Sequence, residues 1–279
     1  MRSLSASLPA GNGLLGLLLL TSFIVIALFA PFLAPFDPWL SSAPYLVPNP
    51  QHLLGTNDIG QDILSELIYG ARISLLVSFG ATSAAIVIGI AVGLVAGYFR
   101  GWVDDAMMAI TDLFFALPGL PLAILMAAYL GPGIVNVVIV IAIVSWPSTA
   151  RVVRAQILSL REMGFVEASR AIGAGYRWTM LRHILPNIST VVLAKFALTV
   201  GSAMLMEASL SFLGLGDPTA KSWGGMLRYS FSRGGFIRDL WWWYLPPGLC
   251  IGLCVLGFSL LSFSLTERGD PRLDRMLKR

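Results

Sequence analysis

Few residues of this 279-residue chain are equipped for chemistry. Gly216-Asp217-Pro218-Thr219-Ala220-Lys221-Ser222 is the stretch that superficially looks able to hold a phosphate. A phosphate loop needs glycine directly before its lysine and again five residues earlier. Ala220 and Leu215 fill those places, and Pro218 removes a backbone N–H donor. This motif therefore binds no ATP. His52 and His183 are far apart without ligand-spaced neighbours, which argues against a metal site. Cys250 and Cys254 stand four residues apart inside an apolar run and read as small hydrophobes. No Ser-His-Asp or paired-carboxylate pattern stands out, so no catalytic residue, cofactor or metal is assigned. What remains are ionisable groups within or beside apolar runs: Asp112, Lys195 and Glu207. Such groups are costly in a membrane and serve either a solute pathway or a partner subunit. Gly201, Ser202, Ala203 and Ser209 surround Glu207 with small residues and favour the pathway for it.

The elements that carry these groups are membrane helices. The chain is 56% hydrophobic and 12% charged, against about 25% charged in ordinary soluble domains. Six apolar runs are legible: 13–33, 73–98, 106–130, 134–150, 188–215 and 245–265. The first is longer than the core of a secretory signal and reads as a retained helix. The third is interrupted by Pro118 and Pro121. The fold class is all-α with six spans. Residues 1–72 form an anchor helix and outer segment, 73–266 a five-helix core with a connecting loop at about 151–187, and 267–279 a basic tail.

Charge sets the expected orientation. The 151–187 loop and the tail hold eleven of the nineteen Lys and Arg residues, which places both in the cytoplasm, and both termini with them. Residues 37–71 carry neither Lys nor Arg and fall outside. The segment 216–243 fits poorly, because Lys221, Arg228, Arg233 and Arg238 must then also lie outside. Its Trp241-Trp242-Trp243-Tyr244 cluster suits a membrane–water interface.

The most informative stretch runs from Gly164 to Asn187. Its spacing predicts a short helix over Glu167–Ile172, with Phe165, Ala168 and Ile172 on one face. Ala168, Ser169 and Ala171 are small enough for close approach. Glu167 suits the N-terminal end of the helix dipole, and Gly173 and Gly175 can take positive φ to end the helix. A second basic helix then climbs back and stops at Pro186. Such a unit either docks into a groove on a partner or lies on lipid headgroups as an amphipathic connector.

This stretch resembles the cytoplasmic "EAA" loop of bacterial ABC-importer permeases, through Glu167, Ala168, Gly173, Leu185 and Pro186. Ser169 replaces the second Ala of that pattern, and His183 stands where Ile is usual. Two more stretches, His52 to Asp62 running on to Leu75, and Glu207 to Gly216 with Ser222-Trp223-Gly224, resemble the dipeptide/oligopeptide/nickel branch, specifically its "C"-type permease. That branch often has Arg at the place of Gln61. A basic residue expected near Ala109 is missing, which puts in doubt any ion pair made from Asp104–Asp112. The resemblance implies a type I (MetI-like) permease core with an extra N-terminal helix in the cytoplasmic membrane. It further implies a second homologous permease forming a heterodimer, two ATPase subunits that bind ATP and Mg, and an extracytoplasmic substrate-binding protein. Peptides, or nickel and other metal chelates, are the implied cargo. An ion-coupled secondary transporter using Glu207 and Asp112 is the rival reading.

The orientation has a direct test. In a background lacking Cys250 and Cys254, single cysteines at Gln51 and Ser232 should react with an impermeant thiol reagent added to intact cells, and one at Arg170 should not. Labelling at 170 without labelling at 51 inverts the orientation.

Overall fold

The computed structural model describes residues 11–269, and within them every regular element is helical. The order is α1 (Gly11–Leu28), α2 (Ala30–Leu33), α3 (Ile63–Phe99), α4 (Gly101–Ala116), α5 (Gly119–Leu130) and α6 (Ile134–Leu160). Then follow α7 (Gly164–Ala171), α8 (Tyr176–Thr179), a π-helical turn (Met180–Ile184), α9 (Leu185–Phe212), α10 (Trp223–Ser232) and α11 (Trp241–Gly269). Residues 1–10 and most of the basic tail, 270–279, lie outside the described residues.

Five helices are long and apolar enough to cross a membrane: α1, α3, α6, the unbroken stretch Tyr176–Phe212, and α11. The sixth expected span is broken. α4 and α5 meet at an angle of 89°, with Leu117 extended and Pro118 at the start of α5. The residue before a proline is driven out of the α region, so the break falls at Leu117–Pro118. Pro121 lies inside the first turn of α5, where no intrahelical donor is lost.

Two boundaries differ from the apolar pattern. α3 begins at Ile63, ten residues before the apolar run, because Asp62 caps it by accepting from the Ser65 amide at 2.8 Å. The division drawn at 72/73 therefore falls inside a continuous helix. α6 runs on past Ala150 to Leu160, so Arg151 and Arg154 sit on a helix, not in a loop. At 37 residues α3 is about 55 Å long, well beyond a hydrocarbon core of about 30 Å.

α3 packs most extensively on α6, and glycine makes this possible. Gly89, Gly93 and Gly97 recur every fourth residue and face α6. A Cβ on Gly93 would stand 2.7 Å from the Ala150 carbonyl oxygen and 2.8 Å from Val153 Cβ. At Gly89 it would meet Thr149 Cβ at 2.5 Å, and at Gly97, Ile157 Cβ at 2.9 Å. Without a hydrophobic drive in lipid, such close backbone approach holds membrane helices together by dispersion. A second core joins α1, α3, α9, α10 and α11 through Leu20, Phe23, Leu75, Met204, Trp223, Trp243 and Phe258. Cys254 is fully buried in that core as a free thiol. Trp243, expected at an interface, is also enclosed there, while Trp241 stays half exposed.

Gly93→Leu should force the α3–α6 contact apart and cost about 1–3 kcal/mol, the usual range for overpacking. It should lower the thermal midpoint of the purified protein in detergent, whereas Gly248→Ala, where a Cβ meets nothing within 4 Å, should leave it unchanged.

Candidate functional site

The segment after α6 builds a short helix with two different sides. α7 spans Gly164–Ala171, three residues earlier at its start than the spacing predicts. Its inner side carries Val166, fully buried, and Ser169, 5% exposed. Val166 packs with Leu94 of α3, Val153 and Ile157 of α6, the π-turn's Ile184, and Ile188 of α9. Ser169 Oγ lies 3.3 Å from Thr179 Oγ1, which ties α7 to α8. The serine that departs from Glu-Ala-Ala thus makes a polar contact alanine would lack. The outer side exposes Phe165, Glu167, Ala168 and Ile172, the last at 80%. Met163, Tyr176, Trp178 and Leu181 extend the exposed apolar surface. Trp178 sits edge-on to His183 at 4.6 Å, and Phe165 lies 6.3 Å from the same ring. That aromatic contact, from residues 5 to 18 positions apart, was not legible in the spacing.

Gly173 ends α7 with φ +81°, and the Ala174 amide donates back to the Ser169 carbonyl at 3.1 Å. This is the six-residue closure of a Schellman turn, in which the left-handed position favours glycine. A Cβ on Gly173 would meet nothing, so the requirement is conformational and not steric. Gly175 differs from the expectation: its φ is −65°, and it instead opens α8 in extended geometry. Pro186 also differs. It does not stop a helix but sits at the start of α9 beside Leu185. The π-turn before it shifts the ladder so that the Leu185 amide bonds Met180 O, five residues back. Widening by one residue accommodates a proline that lacks a donor, so the stretch 176–212 stays helical throughout.

The α7 end is braced by ion pairs. Arg154 of α6 grips Asp104 of α4 through Nε and Nη2 at 2.5 and 2.6 Å, and Arg151 holds Asp112 at 2.5 Å. Arg100 pairs with Glu162 at 2.6 Å, and Arg161 donates to the carbonyls of Gly97 and Tyr98. Within 101–116 α4 has no basic residue, and Asp104 and Asp112 take their cations from α6. Asp112 is an exposed partner of Arg151 at this end of the bundle.

Glu207 lies elsewhere, 2% exposed. Ser74 Oγ donates to its Oε2 at 3.1 Å and Ser211 Oγ to its Oε1 at 2.7 Å. It is an interior carboxyl joining α3 to α9, at the wall of a small crevice. It has no ion-pair partner among the described residues. Asp112 and Glu207 thus have different surroundings, an exposed ion pair for the one and buried hydroxyls for the other.

The opposite end from α7 is a folded polar cap. His52 Nδ1 lies 2.9 Å from Asp62 Oδ1, with Phe36 stacked on the imidazole at 4.6 Å. Asn57 Nδ2 donates to Gln61 Oε1 and Glu66 Oε2, and its Oδ1 accepts from the amides of Ile59 and Gln61. Lys221, from the other long loop, donates to Glu66 Oε1 at 2.5 Å and to Gln61 Oε1 at 2.6 Å. Arg233 lies 3.6 Å from Asp58, and the Arg238 guanidinium sits 4.5 Å over the Tyr45 ring. Three of the four basic residues that fit the charge pattern poorly are thus partnered by the 37–70 segment, and Arg228 lies 5.9 Å from the Tyr229 ring instead; the two segments share one end of the molecule. Gln61, where arginine is frequent in the resembling branch, accepts from Lys221. A second cation there would face the first.

The family model for "Binding-protein-dependent transport system inner membrane component" matches residues 85–275. The dipeptide transport system permease protein DppC of Alkalihalophilus pseudofirmus is 40% identical, over 93% of this chain and 86% of the relative. The di/tripeptide transport system permease protein DppC of Pseudomonas aeruginosa is 39% identical, over 92% and 87%. The glutathione transport system permease protein GsiD of Pectobacterium atrosepticum is 38% identical, over 98% and 89%. Among solved structures, an inward-facing MetNI methionine ABC transporter chain superposes with a TM-score of 0.58 at 20% identity, covering 78% of this chain and 98% of its own.

Gly173→Val should leave insertion near normal while abolishing function of the α7 surface, since a β-branched residue at φ +81° is strained by roughly 1–2 kcal/mol. Glu167→Ala should do less, removing a helix-dipole contribution of about 0.3–1 kcal/mol at an exposed site. ATP-driven uptake by the assembled transporter, normalised to membrane-inserted protein, separates the two. Wild-type uptake by Gly173→Val would reduce the segment to a connector.

Proposed function

The chain belongs to the family of binding-protein-dependent transport system inner membrane components, and from that premise we propose that it forms half of the pathway of an ATP-driven peptide importer. The observation that carries the proposal is the two-sided α7. Its inner residue Val166 is lodged among α3, α6 and α9, while Phe165 and Ile172 face outward. A partner gripping the outer side would move three spanning helices at once, because a close-packed contact transmits displacement instead of absorbing it. The exposed apolar residues at helical spacing suit a groove on that partner.

In this reading two ATPase subunits bind ATP and Mg, and one of them holds α7. ATP binding draws the ATPases together, pulls α7, and turns the pathway from inward-facing to outward-facing. A substrate-binding protein delivers solute at the end capped by residues 37–70 and 216–243. A second homologous permease completes the pathway as a heterodimer. The α7 end faces the cytoplasm, as does each terminus, in keeping with the arginine-rich 151–187 segment. Peptide is the cargo the relatives' names support: dipeptide, di/tripeptide and glutathione permeases. None of those names supports the ion-coupled alternative.

Co-expressed with its partner permease, ATPases and binding protein in proteoliposomes, the complex should take up labelled dipeptide in an ATP-dependent manner and leave nickel behind. Nucleotide photolabelling should mark the ATPase subunits and not this chain. Nickel uptake without peptide uptake overturns the cargo, and a photolabel on this chain overturns the division of labour.

A further inference from the structure

Of the ionisable residues in or beside the apolar runs, Lys195 is the one that no contact described above satisfies. It stands in α9, seven residues into the apolar run that opens at Ile188, about 10 Å along the helix axis from the end nearer α7. Its side chain is half-buried, and among the described residues it makes no ion pair or side-chain hydrogen bond. A cation is costly in hydrocarbon, and such groups in spanning helices face a bundle interior or a water-filled cavity.

Helical spacing puts Lys195 on one face with Ser202 and Ser209, at successive steps of seven, beside the exposed Leu198 and Leu205. Both flanks of that face are occupied by this chain. On one, Met206 packs with the cluster that α5 and α6 supply. On the other, Ser262 Oγ of α11 donates to the Ala194 carbonyl at 2.8 Å. The face between them is bare. A neighbouring feature argues against lipid as its cover. α5 packs on α6 and α9, and directly before α5 the helix breaks at Leu117–Pro118, where both residues are exposed and no side chain caps the new helix. Non-helical backbone at membrane depth is tolerated only inside protein or beside water.

We propose that the Lys195 face of α9 lines the solute pathway between this chain and the second permease, and that the Lys195 ammonium pairs with the carboxylate of a passing peptide. A fixed cation in a passage favours anionic groups and repels a divalent metal ion, so the same residue sets the cargo class. The inference rests on the peptide-permease reading, and its test separates the two. The full complex is reconstituted in proteoliposomes with this chain free of Cys250 and Cys254 and carrying Lys195→Cys. The Lys195→Cys complex should take up labelled dipeptide roughly tenfold more slowly than the parent at saturating binding protein, the scale of one hydrogen bond to a charged group. Treatment with 2-aminoethyl methanethiosulfonate, which returns an ammonium to position 195, should restore most of the rate. Methyl methanethiosulfonate, which adds bulk without charge, should not.

Parent-like uptake by untreated Lys195→Cys overturns the proposal. Equal restoration by the neutral reagent overturns it as well, because position 195 then needs only volume. A thiol at 195 that neither water-soluble reagent modifies faces lipid or sealed protein, which also sinks it. Loss of the second permease from the purified Lys195→Cys complex assigns Lys195 to the contact between subunits and not to the solute. A parent complex that shows no ATP-dependent peptide uptake refutes the permease reading itself, whatever the thiol at 195 does.

Discussion

The contact on which the molecule depends is the approach of α3 to α6 along Gly89, Gly93 and Gly97. In lipid the hydrophobic effect does not press helices together, so the bundle needs surfaces that fit at backbone distance. The glycines supply one over two turns, at the α6 positions Trp146 to Ile157. Directly beyond Gly97, Arg161 donates to the last carbonyls of α3, which would otherwise be left without intrahelical partners. The end of α6 is therefore held rigidly where the chain leaves for α7. That fixed end is the root of α7.

From that root the two ends of the molecule follow different physics. At the α7 end, positive charge is abundant and mostly exposed: Arg151, Arg154 and Arg100 brace α4 and the α6 terminus against Asp112, Asp104 and Glu162. Exposed pairs of this kind contribute little each, and the partly buried Asp104–Arg154 pair is the one with bidentate geometry. The apolar groups on the outer side of α7 are left bare, which a soluble helix of eight residues would not tolerate without something to cover it.

At the opposite end, charge is enclosed. Asp62, Glu66, Asn57 and Gln61 are buried, and each finds named partners within the 37–70 segment or on Lys221. Burying such groups is costly unless every partner is in place. Removing one partner, as at Asn57 or Lys221, would therefore leave a buried polar group unsatisfied. Glu207 continues the pattern deeper, where hydroxyls of Ser74 and Ser211 satisfy an acid that has no cation beside it among the described residues.

Much of this was legible in one sequence. Apolar runs of about 20 residues mark the spans because the hydrocarbon core dictates that length, and five of the six emerged as continuous helices. The exposed face of Phe165, Ala168 and Ile172 was readable because helical spacing places those residues together, and Gly173 because few other residues take positive φ. Other features needed the fold. No local rule shows that Asp104 pairs with Arg154 or Glu66 with Lys221, 155 positions away, since both pairings arise from which helices lie side by side. The same holds for Glu207: sequence shows a carboxyl among small residues, and only packing decides that hydroxyls reach it from Ser74 of α3 and from Ser211, with the site closed off from solvent. Pro186 is the converse case, a breaker by local rules that a single π-turn absorbs, because α9 is held by α3 and α11 as well as by its own hydrogen bonds. Composition and periodicity determined what the chain is made of and where it meets lipid. The pairing of distant charges was decided by tertiary structure alone, because it depends on distances through space that spacing along the chain does not encode.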